Sequence, residues 1–298
     1  MKTRQKSLLK RKKDNKIPNL KDKFKDKIKL LYDKIKIVFA NSIYPDDCNC
    51  IICDKEIVRG AKYGLCEDCY NKLPKFERHC ITCGIPMDNE AMLCLRCQNN
   101  KRYFDFARSC FVYENDLKKL VLKLKFYNGK WVAKYLAQMM YDKLDENDLC
   151  VDVVVPVPIS DKRLKERGYN QSALLARPIA EKLGVPLVED AVIKFKDITQ
   201  QTKLTGKQRC DNVVGAYKVQ NRRGVSGKMV LLIDDILTTG STMNEVARQL
   251  KIAGASVVYG LVVASPRYMV FGESLDKQDQ NVNTIFSIDE SIKIPELN

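Results

Sequence analysis

The chain contains no run approaching 18 uncharged apolar residues, so a membrane-spanning helix is not expected. Its basic N-terminus lacks both an apolar stretch and a small-residue cleavage site, which argues against a secretory signal and for a cytoplasmic protein. The GxxxxGK motif followed by Ser or Thr does not occur, which excludes a Walker-type nucleotide loop. Histidine is nearly missing: His79 is the single example, too few for His-based metal chemistry. No aromatic run marks a stacking platform for bases. Hydrophobic content is ordinary, at 45% with 8% aromatics in 298 residues, enough for one full α/β domain and a smaller companion.

Positive charge is unevenly placed. Residues 1–40 hold 15 Lys/Arg against 4 Asp/Glu, a net of +11, and the remainder holds 37 against 33, a net of +4. The folded body is thus near neutral and a basic arm supplies most of the net +15. Such an arm suits a nucleic-acid backbone or another acidic surface, and equally a solvated extension. Within it Leu20, Phe24, Ile28, Leu31, Ile35 and Val38 recur at helical steps with Lys between them, and Pro45 ends the pattern. An amphipathic helix of this kind most often docks on its own domain. Peripheral contact with a membrane, or with nucleic acid, uses the same pattern.

The cysteines are the next departure from an average composition. Nine of the 12 fall between Cys48 and Cys97, in a chain expected in a reducing compartment where disulfides are disfavoured. Eight form four pairs, Cys50/Cys53, Cys66/Cys69, Cys80/Cys83 and Cys94/Cys97, each with two residues between. That spacing lets both thiolates of a pair face one ion from a tight turn, and two turns complete a closed tetrahedral site. Two structural Zn²⁺ ions are therefore expected. Successive pairing unites Cys50, Cys53, Cys66 and Cys69, and then Cys80, Cys83, Cys94 and Cys97; a crossed pairing satisfies the same spacing. Cys48 and His79 are read as bystanders. A redox role for one pair would need a strand–helix–strand setting that none of them has. So short a segment has little core without metal.

Beyond residue 100 the pattern changes to alternating strands and helices. Phe104, Phe106, Phe111 and Tyr113 suggest a strand or two. Leu117 to Leu124 and Trp131 to Met140 read as two helices. Val151–Val155, Met229–Ile233 and Val257–Ala264 are near-continuous apolar runs of the kind buried in a parallel sheet. Helices are expected at about 170–183 and 241–253, a short strand near 186–188, and a polar loop or ribbon over 195–216. The expected architecture is α/β: a doubly wound parallel sheet with an N-terminal double zinc-ribbon module. The divisions are residues 1–45 (arm and amphipathic helix), 46–100 (ribbons), 101–267 (α/β domain) and 268–298 (polar tail).

The sharpest signal lies at residues 230–242. An apolar strand ends in Asp234 and Asp235, and Thr238, Thr239, Gly240, Ser241 and Thr242 then open a helix. Backbone N–H groups, hydroxyls and a helix N-terminus suit a phosphate dianion, and Gly240 allows the close approach. The acids suit the 2′ and 3′ hydroxyls of a ribose whose 5′-phosphate fills that cradle. An ordinary capped helix needs one hydroxyl, not four in five residues, and no acidic pair.

This stretch is similar to the signature of type I phosphoribosyltransferases. Together with the cysteine pairs, Ile43-Tyr44-Pro45, Leu124-Lys125-Phe126, Pro156-Val157-Pro158 and Arg167-Gly168-Tyr169-Asn170-Gln171, it resembles the ComF family over about residues 40–267. The resemblance implies a site for 5-phosphoribosyl 1-diphosphate with Mg²⁺, in which Pro156–Gln171 is a loop facing the diphosphate. Arg163, Arg167 and Gly168 would contact phosphate there, and residues 196–212 would form a flap carrying Arg209. Arg267 is a weaker candidate. It further implies a place in the uptake of transforming DNA, with single-stranded DNA and a competence helicase as partners. Two activities remain open: transfer of the ribosyl group to an acceptor that the sequence does not name, or a non-catalytic DNA-binding or adaptor protein that keeps the pocket.

Overall fold

The computed structural model describes residues 48–126, 129–144, 149–196 and 213–268. The basic arm, its amphipathic helix, Arg209 and residues 269–298 lie outside the described residues.

Four parallel strands form the central sheet: β1 (Phe106–Val112), β2 (Val153–Pro156), β5 (Met229–Ile236) and β6 (Val257–Ser265), in the order β1-β6-β5-β2. Val154 pairs with Leu231, and Leu231 with Tyr259, so the apolar centres of the strands lie in register. Both faces are covered, which is why these segments carry continuous rather than alternating apolar character. On one face α3 (Asn115–Phe126), α4 (Val132–Tyr141) and α6 (Gln171–Leu183) pack Leu120, Leu136 and Leu175 against Val154, Leu231 and Leu261. On the other, α7 (Ser241–Ile252) packs Val246 and Leu250 against Val155, Leu232 and Val262. The doubly wound parallel sheet expected from the sequence is present.

Two local readings change. Residues 156–171, expected as a loop, contain a two-turn helix, α5 (Asp161–Arg167). Ser160 caps it by accepting from the Arg163 N–H at 3.4 Å, and Gly168 stops it in the left-handed conformation. The strand expected near Pro186–Val188 shrinks to one bridge, Val154 to Leu187. A small antiparallel ribbon, β3 (Val192–Lys194) with β4 (Tyr217–Val219), frames the undescribed stretch 197–212.

The cysteine-rich segment adds two short helices, α1 (Glu67–Asn71) and α2 (Leu95–Asn99). Its halves sit on opposite faces of the sheet: Cys50 and Cys69 join the core beneath α3 and α4, while Cys80, Cys83 and Cys94 join the core beneath α7. Among the described residues no helix is long and apolar enough to cross a membrane.

Candidate functional site

The eight paired cysteines gather into two groups, Cys50/Cys53/Cys66/Cys69 and Cys80/Cys83/Cys94/Cys97, with all sulfurs of a group within 4.8 Å of one another. This is the successive arrangement, not the crossed one. The Cys53–Cys66 and Cys83–Cys94 sulfurs are 3.7 Å apart. A tetrahedral ion at about 2.3 Å from each sulfur would set neighbouring sulfurs about 3.8 Å apart, the spacing that these two pairs already have. The charges tell the same story. Contacts with Cys83, Cys94 and Cys97 hold the Cys80 thiol far below its usual range, and contact with Cys80 pushes Cys83 far above. Four crowded sulfurs cannot all ionise unless a cation shares their charge. Cys48 stands outside both groups. So does His79, which meets Phe76 edge-on and is held below its usual pKa by burial and by Arg108.

At the carboxyl end of β5 the two acids are not equivalent. The strand pleat sends successive side chains to opposite sides. Asp235 is buried, 4% exposed, with its Oδ2 at 3.2 Å from the Lys125 Nζ of α3. Asp234 is partly exposed and accepts from the Ser172 hydroxyl at 2.9 Å and from the Asp235 N–H at 2.9 Å. Burial, then the neighbouring Asp235 charge, raise the Asp234 carboxyl to about 7. The sequence treats these residues as one pair; the fold gives one to the interior and one to the strand tip.

Beyond the tip, Leu237 N–H bonds the Ala264 carbonyl at 3.1 Å, and the chain turns through Thr238, Thr239 and Gly240 into α7. Gly240 has φ +76, a conformation that a side chain would strain. The Thr239 and Ser241 hydroxyls lie 2.8 Å apart, and the Ser241 N–H meets Thr239 Oγ1 at 3.3 Å. Thr242 hydrogen-bonds the buried Tyr217 hydroxyl, whose acidity is suppressed by burial and next by the charge of Asp234. Small hydroxyls, amide groups and a three-turn helix behind them stand together beside a carboxylate, the donor types that suit an anion.

Arg163 and Arg167 are four apart on α5 and so share a helix face. Burial holds the Arg167 guanidinium below its ordinary pKa, the Arg163 charge pushes the same way, and the Asp235 charge partly compensates. Arg167 donates to Gln171 Oε1 at 3.0 Å and stacks 4.9 Å above Phe126. Gly168 serves as the stop of α5. Arg267, by contrast, pairs with Asp88 at 2.8 Å and Glu114 at 3.7 Å, fixing the ribbon to the α/β body rather than serving the cradle.

Sequence reasoning missed several residues that complete the site. Ser172 and Lys125 hold the acids, and the hydrogen bond from the Tyr169 hydroxyl to the Leu124 carbonyl, 2.6 Å, ties the α5 region to α3. Arg96 and Arg102 donate to the Thr238 and Thr239 carbonyls at 3.1 and 3.3 Å. Only Lys125 and Tyr169 had a signal, the short motifs in which they stand.

A double zinc ribbon domain model matches residues 39–98 and a phosphoribosyl transferase domain model matches residues 169–294. Fold, sulfur clusters and strand-tip cradle together define a phosphoribosyltransferase-fold protein with a double zinc ribbon, the ribbon clusters supporting structural zinc. The chain is 30% identical to competence protein F of Haemophilus influenzae over 68% of this chain and 92% of that protein. It is 27% identical to the DNA utilization protein YhgH of Escherichia coli over 70% and 93%, and 25% identical to competence protein ComFC of Bacillus subtilis over 67% and 88%. The chain belongs to the ComF family.

Proposed function

We propose that the strand-tip cradle binds 5-phosphoribosyl 1-diphosphate with Mg²⁺, and that the protein uses this ligand in the handling of DNA during competence. One observation carries the reading: a partly exposed carboxylate, Asp234, stands beside a loop of hydroxyls and amides at a helix N-terminus. The 5′-phosphate takes the Thr238–Thr242 loop, the ribose hydroxyls face Asp234, and the diphosphate lies toward Arg163 and Arg167. Asp235, braced by Lys125, fixes the backbone and the field at the strand tip. Mg²⁺ would supply charge neutralisation for the diphosphate while keeping several of its waters.

The same arrangement suits ribosyl transfer. As the bond from the anomeric carbon to diphosphate lengthens, positive charge on the ribosyl group is offset by Asp234 and Asp235. The leaving diphosphate keeps the bonding electron pair and is met by the two arginines. A nitrogenous acceptor donates its lone pair to the anomeric carbon and gives up a proton to solvent water. In this reading residues 46–100 are the ribbon unit and 101–267 the transferase unit. The test is a calorimetric titration of the ribosyl diphosphate with Mg²⁺ against the intact protein, Asp234→Asn, and Asp234→Asn with Asp235→Asn. Binding that is lost in both variants supports the site; equal affinity in all three removes it.

A second reading, single-stranded nucleic-acid binding, is favoured by a separate feature. A cleft of about 600 Å³ lies between the first ribbon and α4, lined by Ile51, Lys123, Trp131, Lys134 and Tyr135 together with Asn49 and Asp54. Trp131 is 48% exposed, edge-on to Tyr135, with Lys123 5.9 Å from its ring. Bases stack on such rings while lysines meet the backbone. Trp131 is the chain's single tryptophan, so its fluorescence reports on this cleft alone. An oligothymidylate should quench it, less so at high salt. Unquenched emission at saturating oligonucleotide would clear the cleft of this role.

A further inference from the structure

The second sulfur cluster and the phosphate loop are joined by one short stretch of chain. Arg96 lies on α2 between the ligand-spaced Cys94 and Cys97, and its guanidinium donates to the Thr238 carbonyl at 3.1 Å. Arg102 follows five residues after Cys97. Its Nε donates to the Cys97 sulfur at 3.5 Å, and its Nη2 donates to the Thr239 carbonyl at 3.3 Å. Its Nη1 would lie 3.4 Å from a Cβ placed on Gly240. The same stretch grips the first turn of α7, because the Tyr103 N–H bonds Asn244 Oδ1 at 2.7 Å and Asn244 Nδ2 reaches the Lys101 carbonyl at 3.5 Å. Ribbon, loop and helix start are thus held by five hydrogen bonds.

The direction of these bonds matters more than their number. In a planar trans peptide the C=O and the following N–H point to opposite sides. Anchoring the Thr238 carbonyl to Arg96 therefore turns the Thr239 N–H away from the ribbon, and anchoring the Thr239 carbonyl to Arg102 does the same for the Gly240 N–H. Two consecutive amides are then presented on the side away from the ribbon, as an anion nest requires. Left to itself, a loop carrying a glycine at φ +76 has other conformations to visit. Holding it in one of them lowers the ordering cost of ligand binding.

We propose that Arg96 and Arg102 are positioning residues for the phosphate cradle, and that the second sulfur cluster, through Arg102 and the Cys97 thiolate, sets whether the cradle is formed. The order of the Thr238–Gly240 loop, and with it the affinity for a ribosyl phosphate, then depends on both arginines. This inference rests on the ligand reading above for its affinity arm, and on the fold alone for its loop-ordering arm.

Two measurements on zinc-loaded, full-length protein separate those arms. Hydrogen exchange at the Thr239–Thr242 amides, without ligand, should be about tenfold faster in Arg102→Ala and faster again with Arg96→Ala added. Ribosyl diphosphate affinity should fall about tenfold for the single variant and about a hundredfold for the double, with zinc content and melting midpoint retained. Arg102→Lys, which keeps the charge and loses the fork, should behave like Arg102→Ala. Arg78→Ala, on the same ribbon in an exposed pair with Glu90, should change neither readout. Unchanged loop exchange in the double variant overturns the proposal whatever the affinity shows. Faster exchange in a protein that never binds the ribosyl diphosphate upholds the loop ordering, while overturning both the affinity arm and the ligand reading.

Discussion

The two zinc ribbons are built from one plan and lean on different parts of the fold. In each, the first cysteine's carbonyl accepts from the residue four places on, Asp54 at 2.9 Å in one and Gly84 at 2.8 Å in the other. Those two residues share a left-handed backbone, φ 61 and φ 69. In each, the second knuckle opens a five-residue helix from a cysteine in nearly the same conformation. The surroundings differ. A Cβ on Gly84 would lie 2.5 Å from the Ala107 carbonyl oxygen, because this knuckle docks backbone to backbone on β1, where the Ala107 N–H bonds the Thr82 carbonyl at 2.7 Å. Asp54 sits at the surface, where its side chain has room and accepts from Asn49. The first ribbon rests on α3 and α4 and opens a cleft. The second is part of the sheet's far core and reaches the Thr238 and Thr239 carbonyls. Identical metal chemistry therefore acquires its role from what the turn leans on.

That contrast can be attacked directly. The largest effect should come from Cys83→Ser against Cys53→Ser, since a structural zinc site of this kind is worth on the order of 10 kcal/mol of folding free energy. Loss at the buried Cys83 should unfold the ribbon together with the sheet face that it covers. Loss at the exposed Cys53 should leave a folded α/β domain that still binds ribosyl diphosphate; circular dichroism with calorimetry reads both. Next, Gly84→Ala should cost about 3 kcal/mol in chemical denaturation, from left-handed strain together with overpacking. Asp54→Gly should stay within about 0.5 kcal/mol.

The strand tip that the second ribbon reaches should also show a pH signature of its own. The Asp234 carboxyl stands at about 7 in the fold against an ordinary 3.8. Below pH 3.8 it is protonated whether the chain is folded or unfolded. Between those values the unfolded chain releases the proton and the fold retains it, so this group's contribution to stability falls as pH rises and is lost above about 7. Asp234→Asn should therefore raise the melting midpoint by several degrees at pH 8 and leave it unchanged at pH 4, while removing ligand binding. The smallest effect belongs to the first ribbon's exposed Lys55–Asp68 pair, where Lys55→Ala should leave the midpoint unmoved.

Much of this was legible in the sequence, where local pattern and chemistry coincide. β5 and α7 announced themselves because an apolar run, two acids and four hydroxyls are adjacent in the chain, and the parallel sheet followed from strands with no polar face. Helix α5 was not legible as a helix: its seven residues, Asp161–Arg167, are nearly all charged and show no apolar period, and only Ser160 and Gly168 mark its ends. The acids read as an equivalent pair because a sequence does not display the pleat or the lysine waiting on α3. Arg96 and Arg102 left no trace, since their carbonyl partners lie 142 and 137 residues away. Spacing within each cysteine pair determined the ligands, but which pairs share an ion depended on tertiary packing.

The most direct trial of the ligand reading is a crystal of the zinc-loaded protein soaked with 5-phosphoribosyl 1-diphosphate and Mg²⁺. Electron density for the 5′-phosphate against the Thr239–Thr242 amides, with the ribose hydroxyls at Asp234 and the diphosphate toward Arg163 and Arg167, is the expected result. An empty cradle at saturating ligand, or a ligand bound elsewhere with Asp234 still bonded to Ser172 and the Asp235 N–H and to no ligand atom, would contradict it.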